Sequence, residues 1–101
     1  MEAAIKTNEG VRVADVAWGS PAFWAEHGED EAELTAAPEI CVEVVSASNT
    51  TEELKGKALL YFTQGAKEVW NCDRKGRMTF FIAPDRTIEQ SLLFPEFPVV
   101  V

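Results

Sequence analysis

Asp15 and Glu43 are the residues of this chain whose positions first suggest chemistry. Each stands inside an apolar, β-branched run, VRVADVAW and EICVEVVS, where a strand favours a hydrocarbon side chain. Side chains alternate along a strand, so Val11, Val13, Asp15 and Ala17 are expected on one side of the first run. Cys41, Glu43 and Val45 are expected on one side of the second. A charge left on an apolar face costs several kcal/mol, on the order of the penalty for a buried ion, unless it is paired or binds a cation. Taken singly, each acid reads as a salt-bridged residue or as one on an edge open to water. Taken together, and followed by a helix with lysines, they shift the balance away from that reading towards a functional one.

Lys55 and Lys57 are those lysines. At about 100° per residue, the apolar face of a helix through this segment is centred between Leu54 and Ala58, with Tyr61 and Phe62 flanking it. Lys57 then falls on the Tyr61 border and Lys55 on the Phe62 border, and either long stem could carry its charge over the rim of a sheet. Periodicity does not choose between them.

The elements that must position these groups can be read in order. Residues 2–7 read as a strand, residues 8–10 as a turn in which Gly10 takes positive φ, and residues 11–18 as a second strand ended by Gly19-Ser20-Pro21. Residues 21–38 are either a loop or a short helix. Residues 39–46 form the strongest strand, apolar on both faces as a covered central strand is. Thr50 followed by Glu53 has capping-box spacing, and Gly65 suits the far cap of the helix between them, which Gly56 weakens. Residues 67–73 and 77–83 read as strands joined by a hairpin turn at Arg74-Lys75-Gly76. The closing SLLFPEFPVVV reads as a docked extended segment. The order is β-β-loop-β-α-β-β. One helix cannot cover both faces of such a sheet, and a second subunit is the expected cover for the other face, with the acidic loop and the tail as alternatives.

At 101 residues and 47% apolar content the chain reads as one globular domain, 1–101, with a thin core. Its charge of −8 comes from 17 acids against 9 bases and weighs against phosphate binding. Six of the acids, Glu26, Glu29, Asp30, Glu31, Glu33 and Glu39, lie in one stretch without a base, which reads as a solvated face. The remainder is close to neutral, so a local basic surface remains open. Cys41 and Cys72 form no CxxC, and His27 is the lone histidine, so neither a zinc site nor a thioredoxin-like motif is indicated. Cys41 reads as a core residue, His27 as exposed, and Trp18, Trp24 and Trp70 as packing rather than base-stacking residues. No apolar run reaches the roughly 20 residues of a membrane span, and no signal-peptide pattern opens the chain. The expected setting is therefore the reduced cytoplasm. Gly-rich phosphate loops, GxSxG and Cys-His pairs are all missing.

In order, VADVAW, VEVVS, KALLY and GAKEVWNCD resemble the signature of the putative restriction endonuclease family (Uma-two type), a branch of the PD-(D/E)XK nucleases. The closing LLFPEFPVVV is similar to that family's leucine-proline end, and the family has a longer N-terminal part. The resemblance implies an α/β (α+β) fold of restriction endonuclease type. That fold is a mixed sheet of about five strands with one main helix after the third. It implies an endonuclease that hydrolyses DNA phosphodiesters with Mg²⁺ or Mn²⁺. Asp15 and Glu43 would bind the metal with the backbone carbonyl of Val44, as hard cations choose oxygen. The metal would lower the pKa of a bound water and stabilise charge on the phosphate. Lys57, matched by KALLY, would align that water or neutralise the phosphate, leaving Lys55 as a surface charge. In the broader superfamily the lysine lies two residues after the acid, a place held here by Val45. Ala14 stands where the family has proline. The competing expectation is a shortened, inactive nuclease fold kept as a dimerisation or partner-binding module, and a homodimer is expected in either case.

Overall fold

Asp15 divides what the sequence presents as one strand. In the computed structural model, which describes residues 2–28 and 32–101, β2 (Gly10–Ala14) pairs with β1 (Ala3–Thr7) as a separate antiparallel hairpin. The chain bends at Asp15, and β3 (Val16–Trp18) then joins a different sheet. The shared face expected for Val11, Val13, Asp15 and Ala17 is therefore not formed. Val11 and Val13 are exposed, and Ala14 is the buried residue of β2. A bend between Ala14 and Val16 exchanges the inward and outward positions, which strand alternation alone does not anticipate.

After β3, Ser20 caps α1 (Pro21–His27), accepting a hydrogen bond from the Phe23 N–H at 3.1 Å, with Pro21 at the first helical position. Of the two expectations for this segment, the short helix is found. His27 is not exposed as expected but half-buried, its ring 4.5 Å from that of Phe23. Glu29, Asp30 and Glu31 of the predicted acidic stretch lie outside the described residues.

The five-stranded sheet runs β3-β4-β5-β6-β7, with β4 (Ile40–Val44), β5 (Glu68–Cys72), β6 (Met78–Ala83) and β7 (Arg86–Ile88). β4 and β5 are parallel and the other pairs antiparallel. The β4–β5 connection is α2 (Thr51–Thr63). Thr50 accepts from the Glu53 N–H, as the Thr-x-x-Glu spacing predicts. At the other end Gly65 adopts φ +108°, and the N–H groups of Gly65 and Ala66 bond to the carbonyls of Phe62 and Tyr61. That pair of bonds is the Schellman closure, which a residue with a Cβ makes only under strain. β7 was not anticipated. The Pro84-Asp85 turn of APDRTI returns the chain against β6.

Both faces of the sheet are covered. On one, α2 and the β1–β2 hairpin close over Cys41 and Val69, with Ile5, Ala14, Ala58 and Tyr61 in the same cluster. On the other, Ile40, Trp70 and Phe80 pack with Phe94 and Phe97 from the tail. Trp70 meets Phe80 edge-on at 5.1 Å and Phe97 at 4.7 Å. The expected subunit is thus replaced on this face by the chain's own tail, which ends by pairing with the start of β6 through Met78 N–H to Val99 O and Val101 N–H to Gly76 O. Among the described residues, no helix is long and apolar enough to cross a membrane.

Glu68 fastens that tail. Its carboxylate is 2% exposed and accepts four hydrogen bonds. Trp70 Nε1 and Ser91 Oγ donate to Oε1, and the Leu92 and Leu93 N–H groups donate to Oε2, all within 3.0 Å. Bonds to a charged group contribute about 1.5–3 kcal/mol each before strain and overlap. Glu68→Gln, which turns an acceptor into a donor facing donors, is expected to lower stability by about 3 kcal/mol in urea denaturation. A red shift of tryptophan emission should accompany it as Phe94 and Phe97 lift from Trp70. A loss below about 0.5 kcal/mol, as at an ordinary surface position, would show that the tail is held by its apolar contacts alone.

Candidate metal and phosphate site

Where the β3–β4 ladder stops, a side chain takes over its role. Val16 pairs with Val42, so the ladder would continue through Asp15 against Glu43 to Ala14 against Val44, but the bend carries β2 away. The Asp15 carboxylate fills the gap, with Oδ2 accepting the Val44 N–H at 2.8 Å. The N–H and C=O of one strand residue point to the same edge, so the Val44 carbonyl faces the same side as Asp15. Asp15 itself is exposed.

Glu43, one residue earlier on β4, points under α2 and is 5% exposed. Oε1 lies 2.6 Å from Lys57 Nζ, and Oε2 accepts the Tyr61 hydroxyl at 3.1 Å. Lys57 and Tyr61 are four residues apart, on one stripe of the helix. This settles what helical periodicity leaves open, because Lys55 is exposed and outside the cluster. Burial pushes the Tyr61 hydroxyl well above its ordinary range, and the Glu43 carboxylate adds to the effect, so it stays a donor at physiological pH. For the same two reasons, burial first, the Cys41 thiol is pushed up to about 12 and stays protonated. The Lys57 side chain keeps 35% of its surface in water. It can leave the carboxylate without crossing the core, and its attraction is partly screened.

Beside Lys57 a groove of about 300 Å³ runs between the hairpin and the first turns of α2, lined by Glu9, Arg12, Asn49, Glu53, Leu54, Gly56 and Leu60. Among the described residues, no three His, Cys, Asp or Glu side chains converge to form a complete metal cage. Two carboxylates with an adjacent carbonyl edge nevertheless match Mg²⁺ or Mn²⁺, which accept one or two carboxylates and retain water or substrate oxygens. Each Glu43 oxygen has one donor from the chain, and a carboxylate oxygen has a further lone pair to offer.

Glu43 and Lys57 are thus in direct contact, and Asp15 binds the Val44 N–H beside them at the end of β4. The family model for putative restriction endonucleases, Uma2, matches residues 2–98. The chain belongs to the Uma2 family. Its fold is also similar to the crystal structure of a putative nuclease belonging to DUF820 from Anabaena variabilis ATCC 29413, with a TM-score of 0.66 and 14% identity. That similarity covers 84% of this chain and 49% of the other, so the chain spans about half the length of that solved structure. No curated protein matches the sequence. Tyr61, which donates to Glu43, reads from the sequence only as a helix-face residue. Its signal is the four-residue spacing from Lys57 within KALLY.

A double-mutant cycle measures the pair at the centre. Glu43→Gln, Lys57→Met and the double variant are expected to show a coupling of about 1 kcal/mol in urea denaturation, below the values of fully buried pairs because Lys57 is partly solvated. Additivity within about 0.3 kcal/mol would mean that the contact contributes nothing to the fold.

Proposed function

We propose that this Uma2 chain is a divalent-metal-dependent endonuclease that hydrolyses DNA phosphodiesters. The observation that carries the reading is the 2.6 Å contact of Lys57 Nζ with the nearly buried Glu43 carboxylate, beside Asp15. Asp15 and Glu43, with the Val44 carbonyl, would hold Mg²⁺ or Mn²⁺. When bound, the metal would supply a Lewis acid and a more acidic water. Lys57 holds a positive charge where negative charge builds on the phosphate, and its solvated end lets it exchange Glu43 for a phosphate oxygen. Tyr61 is a positioning residue that fixes the Glu43 carboxylate through Oε2. Family membership and the fold support the reading. The two free thiols, Cys41 and Cys72, suit a reduced cytoplasmic setting.

A second reading, a non-catalytic module for dimerisation or partner binding, is favoured by one feature. Val16 and Trp18 are 42% and 40% exposed at the edge strand. They line an apolar groove of about 340 Å³ with Val42, Trp70, Phe94 and Phe97.

Calorimetric titration of Mn²⁺ separates the two. The wild type is expected to bind, and Asp15→Asn and Glu43→Gln to lose that binding while their circular dichroism is unchanged. If the wild type takes up no metal and sediments as a dimer, the carboxylates are structural and the module reading replaces the nuclease.

A further inference from the structure

The turn between β5 and β6 gathers three of the chain's nine basic residues, Arg74, Lys75 and Arg77, all exposed. The salt bridges among the described residues are Lys6–Glu33, His27–Glu26 and Lys57–Glu43, so these three cations are engaged in none. Their backbone, by contrast, is tightly held. The Asp73 carboxylate accepts the Lys75 and Arg77 N–H groups at 2.8 and 2.9 Å, and Asp73 N–H donates to the Arg77 carbonyl. Gly76 takes φ +81°, and a Cβ there would collide with the Val101 carbonyl, so the tail's end packs directly against the turn. A fixed backbone thus presents three exposed cations around Asp73.

Their location gives them meaning. β4 and β5 are parallel, with Val44 opposite Cys72. The turn therefore begins one residue beyond Cys72, which lies about 5 Å from Val44 across one strand spacing. The acidic residues Glu33 and Glu39 precede β4 and enter the sheet from its opposite end. In a chain of charge −8, three exposed cations thus stand together near the strand end that carries the carboxylate site.

Resting on the nuclease reading, we propose that the β5–β6 turn is a phosphate clamp. Arg74, Lys75 and Arg77 grip the nucleic-acid backbone that flanks the phosphodiester presented to Asp15 and Glu43. Such contacts hold register and carry no sequence preference, and each neutralised phosphate steepens the salt dependence of binding.

The test is fluorescence anisotropy of a labelled DNA duplex over a KCl series, with Ca²⁺ in place of Mg²⁺. The wild type, the triple variant Arg74→Gln/Lys75→Gln/Arg77→Gln and a Lys67→Gln control are compared, with circular dichroism to confirm folding. Lys67 precedes β5, at the opposite end of the sheet. The clamp predicts that the triple variant lowers the slope of log K against log salt by about 2–3, near 0.9 per lost contact, while the control keeps the wild-type slope. DNA binding by the wild type with an unchanged slope in the triple variant overturns the clamp and leaves the nuclease reading standing. No DNA binding by the wild type at low salt overturns both. Wild-type binding to phosphatidylserine vesicles that the triple variant loses, without a change on DNA, assigns the turn to a membrane surface and also overturns the clamp.

Discussion

Two parallel strands cannot be joined by a tight turn, because the chain leaving one must return the full length of the sheet to begin the next. That constraint acts on β4 and β5, and α2 is the returning segment. Once α2 lies across the sheet, its inward stripe must bury itself on the side chains that β4 and β5 present. Cys41, Val69, Ala58 and Tyr61 do this with apolar surface. Glu43 occupies the remaining position, so the helix must answer a carboxylate there, and the Lys57–Tyr61 spacing supplies two donors on one stripe. The site is thus the polar end of the crossover packing, and the hairpin, the bend at Asp15 and the groove are arranged around it.

What was legible in the sequence had a local physical cause. Thr50 and Gly65 mark the ends of α2 because capping is decided by a few residues and one positive φ. The β4 run reads as a covered strand because both of its faces are apolar, and Glu43 stands out against that background. Asp15 stands out in the same way, but strand alternation gives the wrong consequence for it. It is the point at which pairing passes from one sheet to another, so the face pattern of VRVADVAW does not run through it. Lys57 could not be told from Lys55 by periodicity, since the two flank the same stripe. The choice is made by where Glu43 lies, which is tertiary information.

The least legible features are those in which a polar residue is buried by distant parts of the chain. Glu68 looks like an ordinary charged residue at the start of a strand, and its burial depends on Ser91, Leu92 and Leu93, more than twenty positions away. Likewise, the tail's covering of the second face follows from Phe94 and Phe97 reaching Trp70, which an extended, proline-interrupted segment does not announce. One helix does leave a face bare, as helix counting requires. The cover came from non-regular chain, which periodicity does not detect.

The two buried carboxylates show how one chemical problem is answered in two ways. Glu68 is compensated by four neutral donors, two of them backbone N–H groups, with no cation among them. Such dipoles are fixed by the fold, so the arrangement is rigid and offers no partner that can be removed singly. Glu43 is compensated by one neutral donor, Tyr61, and one cation whose side chain is about a third in water. Replacing such an ion pair with hydrocarbon would satisfy the core equally well in many proteins, so packing alone gives no reason for it. Its difference from Glu68 is its surroundings. The Lys57 side chain borders the groove and water, whereas Glu68 is enclosed by the tail it holds.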